Sequence, residues 1–78
     1  DQKKIEELKQ LLEKYKKLGY YKEYLINYIG MGYSEVLLYY PNFNVNNILE
    51  LLDFFKKNGF YLWSITPKYV KFTDDTRD

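Results

Sequence analysis

Residues 35–65 read EVLLYYPNFNVNNILELLDFFKKNGFYLWSI, and this stretch decides the fold. Its opening run, Glu35 to Tyr40, is rich in β-branched and aromatic residues and stops at Pro41, which cannot donate to a strand ladder. Asn44 is a good helix N-cap, since its side-chain oxygen can accept from the free amides of a first helical turn. Phe43 and Ile48 occupy the N′ and N4 positions of a hydrophobic staple. Ile48, Leu51, Leu52 and Phe55 recur at the spacing of one helix face, Asp53 can pair with Lys57 one turn later, and Asn58-Gly59 supplies a stop. The spacing therefore predicts a helix over 45–57 between strands at 35–40 and 60–65.

Towards the C-terminus, Thr66-Pro67-Lys68 is a turn, 69–73 is a further strand, and 74–78 is a polar, frayed tail. The strands at 60–65 and 69–73 should form an antiparallel hairpin. Placing 69–73 beside 35–40 gives a split β-α-β arrangement; the alternative places 60–65 there through a right-handed crossover. Towards the N-terminus, Ile5, Leu8, Leu11, Leu12, Tyr15 and Leu18 mark an amphipathic helix over 3–18, closed by Gly19. Tyr21, Tyr24, Leu25, Tyr28 and Ile29 share a face if 20–31 is helical, with Gly30 and Gly32 as stops. The expected fold is one α+β domain over 1–78: two N-terminal helices, then a β-α-β-β unit over 35–73. Its sheet has three strands, with helix 45–57 packed on one face.

A chain of 78 residues buries only roughly 60–65% of its unfolded surface, so its core is thin. Aromatics at 21% supply large buried area and argue against disorder. Twelve basic and eleven acidic residues leave a net charge of +1, too little to draw the chain onto nucleic acid or an anionic membrane. The absence of Cys gives no sign of an oxidising compartment, and no apolar run is long enough to span a bilayer. With no signal peptide visible, a cytoplasmic location and no membrane partner are expected. Arg77 is the lone arginine among the basic residues and Ala is absent, a bias of AT-rich genomes such as those of low-GC bacteria and their phages. The sequence begins at Asp1 and not at Met, as expected of a trimmed product or a piece of a longer protein.

The chemistry of catalysis is missing from the sequence. Without His there is no imidazole base, and without Cys no thiolate nucleophile or zinc thiolate. Ser34 and Ser64 read as turn and strand residues. Glu50 with Asp53 reads as a solvated helix face, and Asp74 with Asp75 as a solubilising tail. Gly30-Met31-Gly32 reads as a helix stop, because a phosphate loop follows a strand and opens a helix. These residues point to a non-enzymatic protein with neither cofactor nor metal.

Binding surfaces are the remaining resource. Strand alternation puts Val36, Leu38, Phe60, Leu62, Val70 and Phe72 on one sheet face, under helix 45–57. The other face receives Leu37, Tyr39, Tyr61, Trp63, Ile65, Tyr69 and Lys71. It is too aromatic for open water, so something should cover it. The N-terminal helices are the first expected cover. A protein partner anchored on Trp63, Tyr39, Tyr61 and Tyr69 is the second, and stacked bases of single-stranded nucleic acid beside Lys68 and Lys71 are the third. Ile5, Leu8, Leu12 and Tyr15 also follow a and d spacing for about two heptads, which fits either a helix on its own core or a dimerising helix that makes a homodimer. Lys14, Lys16, Lys17 and Lys22 among tyrosines read as complements to a helix C-terminus.

The β-α-β-β segment, with its Tyr39-Tyr40-Pro41-Asn42-Phe43-Asn44 stop and cap, is similar to compact α+β proteins of phage accessory genes. The similarity is one of build and implies no site residues. The expected function is a protein–protein interaction module, in its most specific form a phage or mobile-element protein that binds and inhibits a host macromolecule. The alternatives are a nucleic-acid-binding domain using the aromatic face and its lysines, and a structural subunit of a larger assembly.

Overall fold

The computed structural model describes residues 2–30, 32–42 and 44–75, with side chains from residue 5 onward. The order of elements is α1 (Gln2–Lys17), β1 (Glu23–Gly30), β2 (Tyr33–Tyr39), α2 (Val45–Lys57), β3 (Tyr61–Ile65) and β4 (Tyr69–Thr73). The described residues form an α+β fold with two helices and one antiparallel sheet of four strands, ordered β1-β2-β4-β3. The strand at 69–73 lies beside β2, so β2-α2-β3 is a split β-α-β unit, as the first of the two expected orders had it.

The expected helix over 20–31 is corrected to a strand. β1 pairs with β2 from Glu23 opposite Tyr39 to Tyr28 opposite Ser34, which raises the sheet from three strands to four. A run such as Tyr24-Leu25-Ile26-Asn27-Tyr28-Ile29 satisfies a helical period by default, because nearly every position is apolar. Its β-branched and aromatic content suits a pleated surface better. Gly30 and Gly32, at φ 82° and 81°, mark the hairpin reversal into β2 and not a helix stop. Positive φ is the conformation that such turns demand and glycine supplies without steric cost.

Both helices end in the same way. Gly19 N–H donates to the Lys16 carbonyl (3.0 Å) and Tyr20 N–H to the Tyr15 carbonyl (3.1 Å) after α1. Gly59 N–H to Lys56 (3.1 Å) and Phe60 N–H to Phe55 (2.8 Å) repeat the pattern after α2. This Schellman closure needs a left-handed residue at C′, here Gly19 at φ 85° and Gly59 at φ 81°. At its start, α2 has the expected cap: the Asn44 side chain accepts from Asn46 N–H (2.9 Å) and Asn47 N–H (3.4 Å). The expected staple involves Phe43, which lies outside the described residues, as do residues 76–78 of the expected frayed tail.

The start of that tail is corrected. The Asp74 carboxylate accepts from Ser34 N–H (2.6 Å), and Asp74 N–H and the Thr73 hydroxyl both donate to the Ser34 carbonyl. These bonds extend the β2–β4 contact past the last strand residue. Glu50 and Asp53 serve local structure: Glu50 accepts from the Tyr20 hydroxyl, and Asp53 pairs with Lys57 at 3.0 Å.

Both helices lie on one side of the sheet. Leu8 and Leu12 from α1, Leu51 and Phe55 from α2, Val36 and Leu38 from β2, and Val70 and Phe72 from β4 form one buried cluster, joined by Tyr21 and Phe60. Phe55 stacks on Phe72 with ring centroids 4.0 Å apart. Tyr21, in the α1–β1 connection, is buried, and its hydroxyl donates to the Leu12 carbonyl. Burial raises its phenol pKa, because the phenolate would lose its hydration there.

Candidate functional site

With α1 and α2 on the same side, the opposite sheet face is bare of helix. The expected cover by N-terminal helices is therefore corrected: α1 packs beside α2, as Tyr15 shows by lying between Tyr20 (4.9 Å between ring centroids) and Phe54 (5.2 Å). The stripe read for self-association is spent in the same packing. Leu8 and Leu12 are buried core residues, and Tyr15 and Ile5 are half-buried.

Strand pairing assembles the bare face in three rows. Glu23, Tyr39 and Tyr69 lie in register across β1, β2 and β4. Leu25, Leu37, Lys71 and Ser64 follow, and then Asn27, Glu35, Thr73 and Tyr61. Tyr39 and Tyr69 meet edge to face with ring centroids 5.9 Å apart, and Lys71 Nζ sits 5.9 Å from the Tyr69 ring centre. Lys71 also pairs with Glu35 at 3.8 Å, while the Asn27 amide donates to Glu35 at 3.1 Å. Both charged side chains are largely shielded, at 24% and 20% relative exposure, so the middle of the face is a neutralised polar network set among rings.

Trp63 owes its position to a bulge. The β3–β4 register runs Tyr61–Thr73, Leu62–Phe72, then Ser64–Lys71 and Ile65–Val70, leaving Trp63 as the extra residue. A bulge re-aims side chains at a sheet edge. Here Trp63 borders a shallow depression with Ile29, Glu35, Thr73 and Asp75, and it stands 63% exposed. The same bulge corrects the placement of Ile65, which pairs with Val70 on the helix side. There it lines an apolar cavity of about 60 Å³ with Leu62, Leu52 and Ile48.

The structure thus gathers Tyr39, Tyr61, Trp63, Tyr69 and Lys71 on one face. Lys68 lies in the exposed β3–β4 turn, where its carbonyl accepts from Tyr40 N–H (2.8 Å) and its own N–H donates to the Thr66 hydroxyl (3.2 Å). Sequence reasoning missed Leu25, Asn27, Ile29 and Glu35 as parts of the face. The signal was present: a Gly-x-Gly step between two runs of strand-forming residues marks a hairpin. Among the described residues no cluster of carboxylates is arranged to hold a metal ion, and no helix is long and apolar enough to cross a membrane. No protein family model, curated protein or solved structure matches the chain.

Proposed function

We propose that this chain is a non-catalytic module that binds another protein through its bare sheet face. One observation carries the reading: Trp63 is 63% exposed on a face that neither helix covers, with Tyr61 and Ile29 also exposed near it and Leu25 exposed at the far edge. Tryptophan and tyrosine are the residues that most often anchor protein interfaces, because they bury large area with few rotatable bonds. The shielded Glu35–Lys71 pair fits such a contact, since both charges already have partners before docking.

The charge balance of the face favours protein over nucleic acid. Lys71 is the one lysine in its strand rows, against Glu23 and Glu35, with Asp75 at the rim. Phosphate tracking needs an excess of cations beside the stacking rings. The sequence contains neither His nor Cys, which removes the commonest acid–base and nucleophilic groups and supports a binding role. In its most specific form the reading is a phage or mobile-element protein that occludes a host macromolecule, which rests on composition and build alone.

The test is affinity capture with the folded chain as bait, comparing wild type with Trp63→Ala at rising salt. The expected result is a protein captured by wild type, lost with Trp63→Ala and little affected by salt. Capture that survives Trp63→Ala overturns the aromatic-face reading. Binding of single-stranded oligonucleotides that falls steeply with salt overturns the choice of partner.

A further inference from the structure

The two edges of the sheet are unlike. β3 has five residues, and its ladder is interrupted by the bulge at Trp63. Shortness and a bulge are two devices that deter a sheet edge from pairing with another chain. β1 has eight residues and a regular ladder from Glu23 to Tyr28. It contains no Lys and no Pro; its single charge is Glu23, at the first position and already bonded to Lys16 Nζ. Leu25, Tyr28 and Ile29 are exposed along it. The register shift of β1 comes only at its end, between Tyr28 and Gly30, and a largely apolar edge strand that stays regular over six residues is a template for strand addition.

We propose that β1 pairs antiparallel with β1 of a second copy of this chain, about a two-fold axis through Ile26 perpendicular to the sheet. Charge selects this arrangement. A parallel pair would set the two Glu23 carboxylates side by side, whereas the antiparallel pair separates them by about six residues, or roughly 20 Å. Such an axis also keeps like faces together. On the helix side Tyr24 lies opposite Tyr28 of the second copy, and Ile26 opposite its own counterpart. On the bare side Leu25 lies opposite Asn27. Aromatic and β-branched cross-strand pairs of this kind stabilise a ladder.

The chain's own architecture supports a second copy as the occupant. The antiparallel register is self-complementary, with Tyr24 against Tyr28 and Ile26 against its own counterpart, and a thin-cored domain gains stability from association. An edge pairing this short buries less than the roughly 800 Å² per partner of a standard interface, so a weak, concentration-dependent dimer is expected. Dimerisation uses the edge and not Trp63, so it stands or falls separately from partner binding. It would, however, lay two bare faces side by side in one eight-stranded sheet and allow bivalent contact.

The experiment is sedimentation velocity over a concentration series, with amide exchange of β1 followed at low and high concentration. Wild type is expected to dimerise as concentration rises, with β1 amides slowing in parallel. Tyr28→Lys, at a side chain 68% exposed, is expected to weaken the dimer at least about tenfold, while Trp63→Ala and Leu49→Lys leave it unchanged. Leu25→Lys repeats the test from the bare side of the strand if Tyr28→Lys does not fold. A wild type monomeric at every concentration overturns the proposal. So does a dimer that survives both β1 variants, or one abolished by Trp63→Ala or Leu49→Lys.

Discussion

The two faces of the sheet are built from the same strands yet do different work. In β2, Val36 and Leu38 point into the core, while Glu35 and Tyr39 point away from it; in β4, Val70 and Phe72 alternate in the same way with Tyr69 and Lys71. The helix side is apolar and dry at its centre, closed by Leu8, Leu12, Leu51 and Phe55, while Tyr28 at the β1 edge and Ile65 at the β3 edge stay exposed. The bare side mixes rings with a polar network and leaves Trp63 in water. Burial on one side therefore supplies most of the stability, and the other side is free to be shaped for contact. Substitutions on the two sides should separate stability from binding.

The largest expected effect is on the helix side. Phe55 is fully buried and stacks on Phe72, so Phe55→Ala should destabilise by about 3–5 kcal/mol, through lost burial and the cavity left behind. Urea unfolding should show a lower midpoint at unchanged slope. A cost below about 1 kcal/mol would mean that this side is not the principal core.

Tyr21 comes next, because it ties the α1–β1 connection to the core by one hydroxyl. Tyr21→Phe keeps the ring and loses the bond to the Leu12 carbonyl, for a cost of about 1 kcal/mol. Its raised phenol pKa gives an independent signature. With the folded value above the ordinary 10.0, its contribution is fully present below pH 10 and declines as pH rises towards the folded value. Stability of wild type should therefore fall above pH 10, and the part of that fall due to Tyr21 should vanish in Tyr21→Phe.

On the bare side, Trp63→Ala should change stability by no more than about 0.5 kcal/mol, since the ring is mostly in water. Partner capture should nevertheless be lost. A large stability loss would instead make Trp63 a core residue and erase the distinction between the faces.

How much of this was legible in the sequence follows the local signals. The stretch from Asn44 to Gly59 carries its own cap, stripe and stop, and α2 runs over 45–57 as that spacing predicts. Residues 24–29 carry no cap and are apolar or aromatic at every position but Asn27, so periodicity could not distinguish helix from strand. Only pairing with β2 decides it, and pairing is a tertiary fact. The composition of the bare face followed from that misreading, since Asn27 and Glu35 face each other only once β1 is a strand. The β3 bulge was illegible for a related reason: strict alternation put Ile65 with Trp63, and one extra residue moved it to the other side. The side on which α1 lies was open as well, because its stripe suits any apolar surface.

The smallest expected effect lies where β1 enters the sheet. Lys16 Nζ lies 3.1 Å from each Glu23 carboxylate oxygen, and the Tyr24 amide donates to the same carboxylate. The Lys16 bond first, and the Tyr24 amide second, hold the Glu23 pKa below its ordinary 4.5. A carboxyl with a depressed folded value contributes stability above its unfolded pKa and loses it as pH falls through the folded one. The difference in stability between wild type and Glu23→Gln should thus be constant from neutrality to about pH 4.5 and close below it. Both side chains are solvent-accessible, so the gap should be far smaller than that for Phe55→Ala. Equal gaps would mean that the Lys16 tie, rather than burial under the two helices, holds β1 in the sheet.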